Sequence, residues 1–450
     1  MRENTEHSRK YLCADLPSGR THPPAGLSWF IWGVGAVLYA IGFFMRTAPA
    51  VMTKDLMVTF NIAATELGQL ASFFFYAYVL MQLPTGMLSR LFGPRKLLTV
   101  GAFATAIGTF SFAASSNFYL ASIGLLLVGG AVGMAIVLTL ELSGRWLPKH
   151  KFALASGLTM VIGVAGAFLA GVPLSLLISM FGWRNCMLAL SVFTLAIGIV
   201  SWVVVRDNPS EKGFQDYKAS NTITKKDSKT LGLLVSLSDA LSYRNTWLML
   251  LIPSGLIGAM LSFTGLWGVP YLKVRFNLSV EQAAMICSGM LIAFALCSPI
   301  IGHVSDRQKR RKPVYVIGVV SATICWLVVI LLDGLPLWAM VSLLIIAAGF
   351  TGAMPLSYAL GRESASTENS DIVTGLVVTG IMIGPAIIQP VTGWLVDLQW
   401  NGVMEAGIRV YNEAAFKVAF LPMLGWLILA TMIVPLVKET YCGEKSFIKE

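Results

Sequence analysis

A chain of 450 residues that is 56% apolar and only 12% charged is too apolar for a soluble globular protein, in which about a quarter of the residues are charged. Its length would suit two or three soluble domains, but this composition points to an integral membrane protein instead. The net charge of +10 does not signal nucleic acid, because the basic residues lie in short clusters between apolar runs, as in the loops of membrane proteins.

Residues 1–27 are polar and carry Arg2, Arg9, Lys10 and Arg20, without the pattern of a cleavable signal. They read as a cytoplasmic tail, with the first span as its own insertion signal. A spanning helix needs about 20 mostly apolar residues. Runs of that kind fall at 28–50, 66–89, 97–115, 118–141, 152–178, 184–205, 246–271, 281–304, 314–332, 336–360, 372–397 and 414–437. This predicts an all-α integral membrane protein with twelve spans. The longest polar stretch, 206–244, separates six spans from six and reads as a cytoplasmic linker, with a short amphipathic helix around Leu233–Leu241. The expected organisation is a tail 1–27, a six-helix half 28–205, the linker 206–244, a second half 245–438 and a tail 439–450.

The basic residues test this topology. Of 33 Lys and Arg, seven (Arg46, Lys54, Arg184, Lys273, Arg275, Arg409 and Lys417) fall in spans or on the side opposite the termini, and the other 26 on the side of the termini. That is the positive-inside pattern with both termini cytoplasmic. A bacterial inner membrane is the expected location. The six cysteines are scattered, with no CxxC pair, so neither a disulfide framework nor a zinc site is expected.

An internal echo supports duplication. GMLSRLFGPRK at 86–96 follows the second span, and GHVSDRQKRRK at 302–312 follows the eighth. Parallel repeats about an axis along the membrane normal are a known transporter design. Here the chain resembles the major facilitator superfamily over essentially its whole length, through its twelve spans, its central loop and a Gly-x-Leu-x-Asp-Arg-x-Gly-Arg-like loop after spans two and eight. The resemblance implies two pseudo-symmetric six-helix halves and a conformational latch formed by those loops. In the second loop Gly302, Asp306 and Arg307 fit. In the first Gly86, Leu88, Gly93, Arg95 and Lys96 fit, but Arg90 stands at the Asp position and Leu91 at the next Arg position. Either Asp306 then carries the carboxylate role alone or another acid compensates. The family arginine of span four would fall near Leu125 and is absent. GVAGAFLAGVP at 163–173 does not match the drug-antiporter pattern of span five.

Arg46 interrupts the first span. Gly35, Tyr39, Gly42, Arg46 and Ala50 form one helical stripe of small residues, a tyrosine and an arginine. A charge near the bilayer centre costs at least about 2.5–3.5 kcal/mol, and a bound anion would offset it. Arg46 lies 17 residues beyond Trp29, roughly 26 Å along a helix, so a gating or structural ion pair and snorkelling to the interface are the competing readings. Continuation of the helix past Pro49 to about Met57 would move Arg46 inward. The resemblance adds that organic-anion branches carry a substrate arginine near this place. Glycerol-phosphate antiporters pair it with a second in span seven, where MLSFTGLWGVPYL at 260–272 has none, so a singly anionic group fits better.

Other cavity candidates are Tyr78 and Gln82, with Phe75, on span two, Trp267, with Phe263 and Tyr271, on span seven, and Tyr358 and Gln389 on spans ten and eleven. Each also suits packing or an interfacial belt. Glu141 is a possible proton-coupling carboxylate, and its i,i+4 spacing to Arg145 equally suits a structural ion pair. Without a P-loop, catalytic triad or metal cluster, no cofactor and no enzymatic activity are expected. The expected function is secondary transport by alternating access of a small organic solute, anionic or zwitterionic, with a coupling proton as a possible partner, the bilayer as surroundings, no nucleic acid, and a monomeric state. An exporter of drugs or siderophore-like molecules, a non-transporting sensor and a static channel are the alternatives.

Overall fold

The computed structural model describes residues 21–217, 238–365, 370–405 and 407–443. Among the described residues ten helices are long and apolar enough to cross a membrane, and two bent pairs, each taken as one span, bring the number to twelve. In the first half they are α1 (Ala25–Thr47), α2 (Ala64–Phe92), α3 (Pro94–Ala114), α4 (Phe118–Trp146), α5 (Phe152–Leu169 with Val172–Phe181) and α6 (Trp183–Val204). In the second they are α7 (Arg244–Phe276), α8 (Val280–Gln308), α9 (Lys312–Leu331), α10 (Leu337–Glu363), α11 (Ser370–Leu398) and α12 (Glu413–Leu436). In hydrocarbon every backbone polar group needs an internal partner, so apolar runs of this length fold as helices. α1 does not stop at Pro49. After a break at Ala48 a second segment, Pro49–Phe60, carries the chain onward, with Pro49 at the tolerated N1 position. The amphipathic helix expected at Leu233–Leu241 falls largely outside the described residues. Residues 404–405 and 408–409 form a two-stranded antiparallel ladder, β1 and β2, between α11 and α12.

Packing repeats between the halves. α1 lies on α5, α2 on α4 and α3 on α6; α7 lies on α11, α8 on α10 and α9 on α12. Without a hydrophobic driving force between helices in lipid, close backbone approach through small residues holds such pairs. Gly166 of α5 meets the Ala40 backbone of α1, and Gly384 of α11 meets the Ser254 backbone of α7. A β-carbon at either would lie 2.2 Å or 2.0 Å from the facing carbonyl oxygen. The two glycines are pseudo-equivalent contacts of the duplicated design.

The halves meet mainly on the side opposite the chain termini, the distal side. A β-carbon at Gly68 of α2 would lie 2.6 Å from the Gln389 carbonyl oxygen of α11, and one at Gly393 2.2 Å from that of Ala64. On the other seam, Gly171 of α5 abuts Ser288 of α8, and Gly265 of α7 faces the Arg46 carbonyl. On the side of the termini, Gly86, Gly157 and Gly302 face open space.

Candidate functional site

Arg46 sits in the last turn of α1, two residues before the break, and the second segment carries the chain onward beyond it. It is 8% exposed. Its guanidinium carbon lies 3.9 Å over the Phe43 ring, a cation–π contact. Its Nε has no hydrogen-bond partner, and among the described residues no carboxylate is paired with it. A charge removed from water without a partner is costly. Tyr39, Tyr78 and Tyr358 all lie within electrostatic reach of this guanidinium. α1, α2 and α10, from both halves, thus bring one cation and three phenols together.

Gln389 completes the grouping from α11. Its side chain is fully buried, and neither its Nε2 nor its Oε1 has a partner. It reaches toward Gly265, whose other neighbour is the Arg46 carbonyl. Gly265 lies inside a π-helical turn, Phe263–Trp267, that interrupts α7. Such turns often mark functional positions in helices. This turn was not legible from periodicity, because one extra residue in a helical turn leaves the apolar pattern almost unchanged.

The remaining cavity candidates are committed elsewhere. The Trp267 indole N–H donates to the Gln389 carbonyl at 3.0 Å, and the Gln82 amide donates to the Gly133 carbonyl of α4 at 3.0 Å. Tyr39 donates to the Met160 sulfur at 3.6 Å. Tyr271 accepts from Arg275, which also pairs with Glu413 at 3.3 Å. Trp267 and Gln82 therefore shape the site through the backbone they hold, while Arg46 and Gln389 keep open polar atoms.

On the side of the termini the two loops are tied down by acids that follow the sixth and twelfth spans. Asp207 accepts from the Arg95 backbone N–H at 2.7 Å at the start of α3. Glu439 accepts from the Arg311 and Lys312 backbone N–H groups at 2.8 and 3.1 Å at the start of α9. A carboxylate at a helix N-terminus satisfies orphan donors and complements the helix dipole. Asp207 is thus an acid beside the first loop where Arg90 replaces the usual aspartate. Arg95 also donates to the Trp202 carbonyl at 2.8 Å and stacks over the Trp202 ring. In the second loop Asp306 pairs with Arg311, not with its neighbour Arg307, which is exposed, and Arg311 pairs further with Glu363 at 3.1 Å. A β-carbon added at Gly86 or Gly302 would meet nothing within 4 Å. Glu141 lies at the same end, paired with Arg145 at 2.5 Å and accepting from Ser89.

Gly93 sits at φ 81°, ψ 153°, a region essentially reserved for glycine, and its added β-carbon would collide with the Asp207 carboxylate. Gly182 has nearly the same backbone at the start of α6 but open space around it. Gly93→Ala and Gly182→Ala are both expected to destabilise by about 1–3 kcal/mol through backbone strain. Gly93→Ala should cost more, because it also displaces the Asp207 cap. Thermal melts of the two purified variants check the difference.

Comparison with known proteins places this architecture. The family model described as Major Facilitator Superfamily matches residues 33–279 and 255–441. The chain belongs to the Major Facilitator Superfamily. Among relatives of this superfamily chain, the uncharacterized transporter YybO of Bacillus subtilis is 23% identical over 408 residues, covering 84% of this chain and 90% of that one. The probable sulfoacetate transporter SauU of Cupriavidus necator is 22% identical over 283 residues, covering 62% and 65%. Among solved structures, a bacterial homologue of the human lysosomal transporter Spinster, inward-facing and unoccupied, superposes with a TM-score of 0.73 at 15% identity, covering 92% of this chain and 98% of that one. The fold is that of this superfamily, and the chain is a multi-pass membrane transporter.

Proposed function

We propose that this transporter moves a small organic solute carrying a single negative group, and that Arg46 is its counter-charge. The observation that carries this reading is the buried guanidinium with an unpartnered Nε and no paired acid among the described residues. An incoming carboxylate or sulfonate would offset its burial through charge-assisted hydrogen bonds. Tyr78, Tyr358 and the open amide of Gln389 supply the neutral polar contacts, and Tyr39, held by Met160, lies beside them. A single arginine suits a monoanion rather than a phosphate clamp. SauU, named as a probable sulfoacetate transporter, supports the wider class of small organic anions, since sulfoacetate bears a carboxylate and a sulfonate.

Transport proceeds by alternating access of the two halves around this midplane site. The closed distal seams and the open space at Gly86, Gly157 and Gly302 fit a state open toward the side of the termini, which on the charge bias is the cytoplasmic side. The two capped loops act as the conformational latch on that side. Glu141, already held by Arg145 and Ser89, serves that end of the bundle rather than the site, so any coupling proton acts through another group.

The test is flux. Protein reconstituted in liposomes is presented with small carboxylates and sulfonates, their neutral amide or ester isosteres, and organic cations. Saturable, counterflow-competent uptake of an anion, with the isostere at least tenfold poorer, is expected. Saturable uptake of neutral or cationic compounds alone would overturn the reading.

A further inference from the structure

The start of α2 lacks a conventional cap of its own. Its N-cap residue is Ala63, where Ser, Thr, Asp or Asn is strongly preferred. Glu66 reaches back to the Ala63 N–H at 3.0 Å. The next two N–H groups are satisfied from the other half of the molecule. Thr65 N–H donates to Asp397 Oδ2 at 2.7 Å, and the Thr65 hydroxyl donates to the same oxygen at 2.5 Å. Ala64 N–H donates to the Tyr411 hydroxyl at 3.1 Å, and that hydroxyl donates to Asp397 Oδ1. Arg409 pairs with Oδ1 at 3.2 Å. Asp397, at the distal end of α11, keeps only 10% of its side chain exposed. It therefore stands at the positive end of the α2 dipole across the seam between the halves.

We infer that Asp397, with Tyr411, is a positioning residue for the transport cycle: a clamp that holds the distal ends of α2 and α11 together and sets how often the two halves part. The argument rests on the alternating-access reading but not on the identity of the substrate. When the halves part, α2 loses two of its N-terminal partners at once, and Asp397 loses both Thr65 donors while keeping Tyr411 and Arg409 of its own half. The stabilisation thus exists only in the closed arrangement, which is what a ligand-independent bias between two states requires. The close fit of Ala64 against Gly393 and of Gly68 against Gln389 brings the carboxylate to its donors. The Gln389 backbone belongs to this seam while its side chain faces the site, so clamp and site share one segment of α11.

The experiment uses the native thiol of Cys287. It is buried on α8 and lines a small void with Thr47, Ala50 and Ser288 on the opposite seam between the halves. Its unmasking therefore reports separation of whole halves rather than fraying at the clamp. With the other five cysteines replaced by alanine, labelling by a membrane-impermeant maleimide is followed in wild type, Asp397→Ala and Tyr411→Phe. A parallel series keeps only Cys325, buried within the second half on α9. At least tenfold faster labelling of Cys287 in Asp397→Ala is expected, with a smaller rise in Tyr411→Phe and continued protection of Cys325. Unchanged Cys287 labelling in both variants would overturn the clamp. If Asp397→Ala exposes Cys287 and Cys325 alike, it has unfolded, and the milder Tyr411→Phe decides: faster Cys287 labelling with Cys325 protected supports the clamp, and anything else overturns it. Labelling needs no substrate, so failure of the anion reading in the flux assay would leave this result standing.

Discussion

Arg46→Ala is expected to abolish saturable uptake of the transported anion, lowering kcat/KM by at least about a hundredfold, while leaving the protein folded. The two halves of this expectation have one physical origin. The guanidinium has no acidic partner among the described residues, so removing it breaks no structural ion pair, and it relieves a buried charge whose cost at a helix centre is at least about 2.5–3.5 kcal/mol. A charge-assisted contact to a substrate anion is worth about 1.5–3 kcal/mol or more in a dry site, which converts to roughly ten- to a hundredfold before positioning is counted. Arg46→Lys keeps the charge but loses the planar fork and its stacking over Phe43, so it should retain weak uptake with a raised KM. Flux in liposomes and melting temperature, measured on the same preparations, check both. A large loss of thermal stability in Arg46→Ala would instead make the residue structural.

Gly129→Leu should have the largest effect on stability. Gly129 is where α4 meets α2, and a β-carbon there would lie 2.0 Å from the Phe74 carbonyl oxygen and 2.7 Å from its carbon. Both are backbone atoms, so no side-chain rotation relieves the contact. The helices must separate, losing the α2–α4 packing that includes Gly133 against Tyr78. Overpacking of this kind costs about 1–3 kcal/mol and more when the backbone itself must move, and lipid offers no compensating hydrophobic gain. The variant is expected to accumulate poorly or to melt at least ten degrees lower. Gly425→Ala is the control, since that glycine of α12 has open space around it. It should be neutral or slightly stabilising through helix propensity. Membrane-fraction yield and thermal melts distinguish the two.

The membrane fold was legible because lipid enforces it. Apolar runs of about 20 residues have one structural solution, and every span expected from the sequence coincides with a helix or a broken helix pair to within a few residues. Arg46 was legible for the same reason, as a charge in a run built for lipid. The polar contacts that tie helices together were not. Asp207 on α3, Glu439 on α9 and Asp397 on α2 join residues 112, 128 and 332 positions apart, and no local period encodes such a distance. Gln82 and Trp267 have the right spacing for a cavity face, yet their donors go to backbone carbonyls on neighbouring helices. A helical stripe shows which side of a span faces protein, not whether the neighbour is a substrate or a carbonyl. Asp397 illustrates the limit: only the close approach of α2 and α11 makes it a contact between halves.

The central claim, that Arg46 is the counter-charge of an anionic substrate, is tested most directly by ligand-induced thermal stabilisation of purified wild type and Arg46→Ala against a panel of organic anions and their neutral analogues. A ligand that binds only the folded state must raise the melting temperature. The account predicts that an anion stabilises the wild type by several degrees, that its neutral analogue does not, and that the folded Arg46→Ala protein gains nothing from either. Equal stabilisation of wild type and variant by the same compound would contradict it.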